Sequence, residues 1–222
     1  MEKLEQRLGY MFRDRSLMER ALTHSSYANE NRSARLRNNE RLEFLGDSVL
    51  GMVVAEHLFA EDMDMAEGEL TRMRAALVCE QSLAAAAREL QLGEYLKLGR
   101  GEAAGGGRTR ASILADAMEA MLAAVYLDGG LEPAREVIER LVLSRVDPMS
   151  MRDCKTSLQE LVQRTGGQQL TYRVLEAAGP DHDKTFTVEV YVNGTPAGRG
   201  SGHSKKEAEQ QAACEALHRL EP

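Results

Sequence analysis

The chain lacks the net positive charge with which many proteins hold nucleic acid by bulk electrostatics. Its 222 residues carry a formal net charge of −7 at pH 7, and most of the acidic excess lies before residue 152. Any binding to nucleic acid is therefore predicted to depend on local basic patches. Part of the acidic excess is a candidate metal site.

Cysteines are few, and long apolar runs are missing. The cysteines Cys79, Cys154 and Cys214 are far apart and form no CxxC pair, which predicts neither a disulfide framework nor a thiolate zinc site. No apolar run approaches the roughly 18 residues that span a bilayer. The first residues also lack the apolar core of a secretory signal. We therefore expect a cytoplasmic protein with free thiols and no membrane partner.

The first two thirds of the chain show helical periodicity and no strand pattern. An apolar stripe predicts a long helix that begins at Asn38 or Asn39, and a second helix is predicted from Ser112 to about Leu127. A capping box is predicted at residues 16–19. The stripe consists of Leu42, Leu45, Val49, Met52 and Val53. These patterns predict an all-α domain over residues 1–147.

A Gly- and Arg-rich tract at residues 99–110 interrupts this helical domain. No strand precedes its glycines Gly105–Gly107, and no Gly-Lys-Ser/Thr follows them, so the tract is not a phosphate loop and no nucleotide cofactor is expected. The composition favours a flexible loop.

After a short linker at residues 148–153, the periodicity changes. A helix at about 154–165 is followed by alternating apolar residues at 186, 188, 190 and 192, which predict a half-buried strand. Asn193-Gly194 is a strong hairpin signal. A third strand and a last helix, capped by Ser204 with Glu207, complete an α-β-β-β-α order over residues 154–222. The second domain is therefore predicted to be a small α+β fold.

Two groups of side chains in this second domain fit contact with RNA. Thr156, Gln159 and Gln163 share one uncharged polar face of the first helix, which suits hydrogen bonds to ribose hydroxyls in a shallow minor groove. Lys205 and Lys206 lie in the first turn of the last helix, where cations oppose the helix dipole. A solvated basic pair is an equally good interpretation of the two lysines alone.

The strings KTSLQELVQ, GPDHDKTF and GSGHSKKEAEQQAA, in this order and spacing, resemble a double-stranded-RNA-binding domain over its full length. The resemblance assigns Thr156, Gln159, Gln163 and the loop residue His182 to two successive minor grooves. It assigns Lys205 and Lys206 to phosphates between those grooves. Such a module recognises shape and 2′-hydroxyls rather than sequence.

Three acids lie along one edge of the helix predicted after Asn39. At 100° per residue, Glu40, Glu43 and Asp47 form a ridge beside the apolar stripe. A solvated helix face is the simplest interpretation. However, like charges four residues apart destabilise a helix, and Gly46 in mid-helix costs about 1 kcal/mol relative to alanine. These costs indicate close backbone packing and a bound cation.

A second acidic pair, Asp116 and Glu119, lies in an otherwise apolar helix. Carboxylates in such surroundings are rarely buried without a partner. If the two acidic helices face each other, they present carboxylates without histidine or cysteine. This set of ligands favours magnesium or manganese over zinc. Such a site suits phosphodiester hydrolysis.

NERLEFLGDSVLG at residues 39–51 is similar, almost letter for letter, to the signature of ribonuclease III. SILADAMEAMLAAVYLDGG resembles that family's second acidic helix, and LTHSSYANE resembles its N-terminal part. The resemblance covers essentially the whole chain. It implies a homodimeric, magnesium-dependent endonuclease for double-stranded RNA that leaves 5′-phosphate and 3′-hydroxyl ends with short 3′ overhangs. It also suggests ribosomal RNA precursors and some messenger RNAs as substrates.

By matching position, this resemblance assigns roles to the acids. Glu43, Asp116 and Glu119 are expected to be metal ligands, Asp47 and Glu119 to be the essential catalytic carboxylates, and Glu40 to be a supporting acid near the subunit interface. Two other functions remain open. A protein that binds structured RNA without cutting it is disfavoured by the intact acids, and a nuclease for duplex DNA conflicts with reliance on 2′-hydroxyls.

Overall fold

The structure, a computed structural model, describes residues 1–31, 36–61, 65–145, 154–164, 169–179 and 184–220. The chain divides into two compact units, Met1–Val146 and Asp147–Pro222. The linker predicted at 148–153 lies outside the described residues. Among those that are described, no helix has both the length and the apolar character needed to cross a membrane.

The first unit is helical, as the periodicity predicted. Its helices are α1 (Glu2–Leu8), α2 (Arg15–Ala21), α3 (Ser25–Glu30), α4 (Glu40–Glu61), α5 (Glu67–Leu77), α6 (Glu80–Glu89), α7 (Leu92–Tyr95), α8 (Arg100–Ala104), α9 (Ala111–Gly129) and α10 (Leu131–Leu141), followed by a 3₁₀ turn (Leu143–Arg145).

Helix α9 forms the centre of this unit. Helices α2, α4, α6 and α10 all pack against it, which explains why its sequence is apolar on nearly every side. Met118, Leu122 and Val125 are fully buried. The longest helix, α4, lies along α9, so the helix with the ridge of acids directly contacts the helix with the second acidic pair.

Three local predictions for the first unit are wrong. Met52 of the predicted buried stripe is 48 % exposed, because it lies at the edge of the stripe. Asp14, not Ser16, caps α2, since its carboxylate accepts the backbone N–H of Ser16. The tract at 99–110 contains α8 and is held by its own arginines: Arg108 donates to the carbonyls of Gly93 and Leu96.

The second unit has the predicted α-β-β-β-α order. It consists of α11 (Cys154–Arg164), β1 (Leu170–Ala178), β2 (Thr185–Val192), β3 (Thr195–Gly202) and α12 (Lys205–Leu220). The strands form an antiparallel sheet in the order β1-β2-β3. Val188 and Val190 are buried, as the alternation predicted. Asn193 and Gly194 both have positive φ, 53° and 80°, as the hairpin turn requires.

Helix α12 packs directly on the backbone of β3. A Cβ added to Gly198 would lie 2.3 Å from the carbonyl oxygen of Ala212, and one added to Gly200 would lie 2.3 Å from the amide nitrogen of Ala212. Only glycine in the strand, facing alanine in the helix, permits this approach. The contact fixes α12, and with it the two lysines of its first turn, against the sheet.

The prediction that the cysteines form no disulfide is wrong. Cys154 of α11 and Cys214 of α12 are joined, with their Cα atoms 5.0 Å apart, whereas Cys79 is free. They are 60 residues apart in the sequence, but the fold places the first and last helices of the unit side by side. Spacing along the chain therefore gave no indication of this contact.

Candidate functional site

Three carboxylates from two helices meet at one place in the first unit. Oxygen atoms of Glu43 on α4 and of Asp116 and Glu119 on α9 all lie within 4.8 Å of one another, and each residue is half-buried. These are the three acids that the sequence predicted to be metal ligands. The structure thus brings the two acidic segments face to face.

Gly46 allows α4 and α9 to come this close. A Cβ at this position would lie 1.9 Å from the carbonyl oxygen of Glu119 and 3.0 Å from its Cα. Because contacts below 3.0 Å do not occur for real Cβ atoms, the backbone of α4 reaches α9 only through a glycine. The glycine that appeared costly in the sequence therefore sets the distance between Glu43 and Glu119.

Mutual repulsion marks these acids as a coupled cluster. Burial, followed by the charges of Asp47, Glu43 and Asp116, raises the pKa of Glu119 to about 7. Burial and then the charges of Asp116 and Glu40 raise the pKa of Glu43. Four carboxylates held so close without a cation are mutually destabilising.

The composition of the cluster fits a hard divalent cation. Every donor is a carboxylate oxygen, as magnesium and manganese prefer, and the donors converge from both sides of one gap. No arginine or lysine is among the charges that shift the pKa of Glu43 or Glu119. A positive ion at the centre is therefore the charge that would stabilise this arrangement.

The other two acids of the predicted site border the cluster. Asp47 is exposed on α4, and its charge is the first among the neighbouring charges that raise the pKa of Glu119. Glu40, also exposed, lies at the first position of α4 and acts on Glu43. Asp47 thus lies beside Glu119, and Glu40 lies at the end of the ridge.

His24 is a neighbour of the site that the sequence gives no reason to single out. This residue caps α3, where its Nδ1 accepts the backbone N–H of Ser26. Burial raises the pKa of Asp116, and His24 is the neighbour that acts in the opposite direction. A histidine 92 positions away along the chain carries no sequence signal of this proximity.

In the second unit, the side chains predicted to contact RNA are at the surface where the structure describes them. Thr156, Gln159 and Gln163 are exposed on one face of α11, while Leu158 and Val162 are buried on another. Lys205 and Lys206 are exposed in the first turn of α12. His182 lies outside the described residues.

Two family models match the chain. A ribonuclease-III-like model matches residues 14–146, and a double-stranded RNA binding motif matches residues 154–220. The chain is 52% identical to a Ribonuclease 3 from Desulforamulus reducens, over 99% of this chain and 91% of that one. It is equally identical to a Ribonuclease 3 from Caldanaerobacter subterraneus, over 98% and 96%.

A solved structure shares the first unit. The nuclease domain of ribonuclease III from Campylobacter jejuni is 44% identical, with a TM-score of 0.61, and the match covers 66% of this chain and 98% of that domain. Fold, acidic site and both sequence matches agree. The chain therefore belongs to the ribonuclease III family of double-stranded-RNA endoribonucleases.

Proposed function

We propose that this protein hydrolyses phosphodiester bonds in double-stranded RNA at the acidic cluster, with magnesium, and leaves 5′-phosphate and 3′-hydroxyl ends. The observation that carries the proposal is the convergence of Glu43, Asp116 and Glu119 within 4.8 Å. The double-stranded RNA binding motif on the same chain supports the choice of substrate.

Each acid has a distinct task in this proposal. Glu43, Asp116 and Glu119 hold the cation, which when bound supplies Lewis-acid stabilisation of the charge that develops on the phosphate. Asp47, exposed beside Glu119, is free to accept a hydrogen bond from the attacking water and to orient it in line. Glu40, two turns before Asp47 on the same ridge, is proposed to be a supporting acid near the subunit interface.

The reaction itself adds one water across one bond. The water oxygen forms a bond to phosphorus while the bond from phosphorus to the 3′-oxygen breaks. One proton of the water passes to the neighbouring carboxylates, and the leaving 3′-oxygen is protonated. The products therefore carry a 5′-phosphate and a 3′-hydroxyl.

The second unit supplies affinity for the duplex. The exposed hydroxyl and amide groups of Thr156, Gln159 and Gln163 suit a minor groove, and Lys205 and Lys206 suit phosphates. The lysines bind phosphates at the start of α12. Without a bound anion, both cations lie where the helix dipole disfavours positive charge. His182 is proposed, on the sequence match alone, to enter a second minor groove.

We further propose that the active unit is a homodimer. Phe44, Met52 and Phe59 of α4 are 78%, 48% and 71% exposed, and at 100° per residue they share one face beside the acidic ridge. Large apolar side chains exposed on one helix face are typical of a protein interface. A Campylobacter jejuni nuclease domain, 45% identical with a TM-score of 0.60, is described as having a region involved in dimer formation. A two-fold dimer presents equivalent sites to both strands of a duplex.

Incubation with a perfect RNA duplex tests the proposed reaction. We expect cleavage with magnesium, slower or comparable cleavage with manganese, and none with chelator. The products should accept ligation at their 5′ ends without prior phosphorylation, and a DNA duplex of the same sequence should stay intact. Duplex binding without cleavage in magnesium would instead identify an RNA-binding protein.

A mixed dimer tests the proposal of one site per strand. One subunit is wild type, the other carries Glu119→Gln, and different affinity tags isolate the mixed species. We expect it to nick one strand per binding event, whereas the wild-type dimer makes paired cuts with short 3′ overhangs. Paired cuts by the mixed dimer, or full activity of a monomer, would contradict the model.

Ribosomal RNA precursors and messenger RNAs are the proposed natural substrates. Mapping RNA 5′ ends in cells with and without the protein tests this. We expect paired 5′ ends within duplex stems to disappear when the protein is absent. Unchanged ends in those stems would exclude such a role.

A further inference from the structure

A cleft lined by three arginines lies at the start of α4. It has a volume of about 490 Å³ and is bordered by Arg20 of α2, Asn29 of α3, and Arg37, Asn38 and Arg41 around the beginning of α4. We call it the arginine cleft. None of these residues has a role in the proposed reaction.

The positive charges in the arginine cleft are not neutralised by the acids around it. Within the described residues, neither Arg37 nor Arg41 forms an ion pair. Glu19 is paired with Lys97 at 3.2 Å, and the carboxylate of Glu30 accepts the backbone N–H of Arg100. The residues that line the cleft carry three positive charges and no negative one.

This arrangement costs stability without a ligand. Arg20 is half-buried, and burial, followed by the charges of Arg37 and Arg41, lowers its pKa. Its Nε donates to the carbonyl oxygen of Asn38 at 3.2 Å, which fixes the guanidinium at the cleft. Arg41 also lies in the first turn of α4, where the helix dipole disfavours a cation. Three guanidinium groups gathered in this way favour a multiply charged anion.

The arginine cleft and the acidic cluster lie at the same end of α4, on different sides of that helix. Arg41 precedes the metal ligand Glu43 by two residues, a rise of about 3 Å along the helix axis, and the two side chains diverge by about 200° around it. Helix α3 connects the same two places: His24 at its start acts on Asp116, and Asn29 near its end lines the cleft. A duplex held at the acids carries many further phosphates, and the arginines are placed to meet those that pass the beginning of α4.

We propose that the arginine cleft binds backbone phosphates of the duplex RNA where it passes the beginning of α4, outside the acidic cluster. The proposal rests on the proposed function and adds to it a second anchoring point, on the catalytic unit itself. Planar guanidinium groups bind phosphate oxygens through two hydrogen bonds, and the amides of Asn29 and Asn38 add neutral donors. These contacts position the RNA but do not select its sequence.

The test measures how duplex binding by the full chain depends on salt. A double variant, Arg37→Gln with Arg41→Gln, is titrated with a fluorescent RNA duplex in chelator, so that binding is observed without cleavage. Each phosphate contact contributes about 0.9 to the slope of log K against log salt concentration. We expect the variant to lose about 1 to 2 from that slope and to bind more weakly at every salt concentration.

A matched control is Arg13→Gln. Arg13 is exposed, and its backbone N–H donates to Asp128, which is twelve residues from Asp116 and about 18 Å away along α9. We expect the control to keep the wild-type slope. If the double variant also keeps the wild-type slope and affinity, the proposal is wrong.

Two further arms separate the alternatives. If wild-type protein fails to cut duplex RNA in magnesium, the proposed function fails, whatever the salt slopes are. Calorimetric titration of inorganic phosphate tests the other source of the same anion: phosphate binding that the double variant loses, with duplex binding unchanged, would identify a site for free phosphate and overturn the proposal.

The melting temperature distinguishes a loss of phosphate contacts from misfolding of the variant. Removing two of three mutually repelling charges relieves a cost of the RNA-free protein. We therefore expect the double variant to melt at the same or a higher temperature than wild type, although it binds duplex more weakly. A lower melting temperature with weaker binding would indicate a structural role and would count against the proposal.

Discussion

Replacing Gly46 by alanine tests how the fold builds the metal site. The new Cβ would lie 1.9 Å from the carbonyl oxygen of Glu119, whereas ordinary contact begins near 3.4 Å. Relief therefore requires α4 and α9 to separate locally by about 1.5 Å. The obstacle is backbone, which cannot rotate away as a side chain can.

A displacement of this size exceeds what a metal site tolerates, because ligand distances in such sites are set to within about 0.2 Å. Glu43 lies one turn before Gly46, so it moves away from Glu119 with its helix. We expect cleavage of duplex RNA to fall by at least about 100-fold, the typical effect of a 1 Å misplacement. The stability cost should be smaller, because about 1–3 kcal/mol of overpacking is partly offset by the better helix propensity of alanine.

The assay compares initial cleavage rates in saturating magnesium at low salt. Gly101→Ala is the control, since Gly101 is also helical and a Cβ there meets nothing within 4 Å. Duplex binding in chelator should be unchanged for both variants, and manganese affinity, measured by calorimetry, should fall only for Gly46→Ala. A folded Gly46→Ala protein that cuts at the wild-type rate would refute the argument.

Three further outcomes are expected. Because burial and the neighbouring acids raise the pKa of Glu119 from its ordinary value of 4.5 to about 7, its ionisation destabilises the metal-free fold as pH rises through this window. Glu119→Gln should therefore raise the melting temperature at pH 8, and the increase should become smaller toward pH 4.5. The same variant should abolish cleavage and leave duplex binding intact. An equal increase in melting temperature at all pH values would contradict this argument. Reducing the disulfide between Cys154 and Cys214 opens a loop of 60 residues, so the free energy of unfolding of the second unit, measured with urea, should fall by up to about 4 kcal/mol. Cys79→Ser should leave this free energy unchanged. An unchanged urea midpoint in reductant would count against the disulfide. A chain that ends at Asp147 should cut duplex RNA at low salt and fail at physiological salt, because it lacks Lys205 and Lys206; equal activity of both forms at moderate salt would show that the second unit is dispensable.

The sequence predicted those parts of the site that depend on local spacing. Glu43 and Asp47 lie one turn apart because four residues make a turn, and the cost of Gly46 indicated close packing before any partner was known. The partner helix itself was not derivable from periodicity. Resemblance to a family, rather than pattern, paired α4 with α9.

What the sequence did not reveal depends on contacts between distant segments. The disulfide joins residues 60 positions apart, and His24 approaches Asp116 from a different helix. The arginine cleft likewise gathers Arg20 with Arg37 and Arg41, which no single helix face contains. Such contacts cannot be predicted from spacing or composition, because they depend on how the helices pack against one another.

The first half of α4 contributes side chains to three different surfaces of the protein. The helix carries a metal ligand at Glu43, an exposed apolar residue at Phe44 and a guanidinium at Arg41, each pointing in a different direction around the axis. Arg41 and Glu43 differ by about 200° around the axis and Glu43 and Phe44 by about 100°, so four consecutive positions are enough to reach the arginine cleft, the acidic cluster and the proposed partner subunit. Gly46, on a fourth side, holds this turn against α9. A shift of α4 at Gly46 would therefore displace the metal ligand Glu43 from Asp116 and Glu119 on α9, which is why the Gly46→Ala variant should lose activity far out of proportion to its loss of stability.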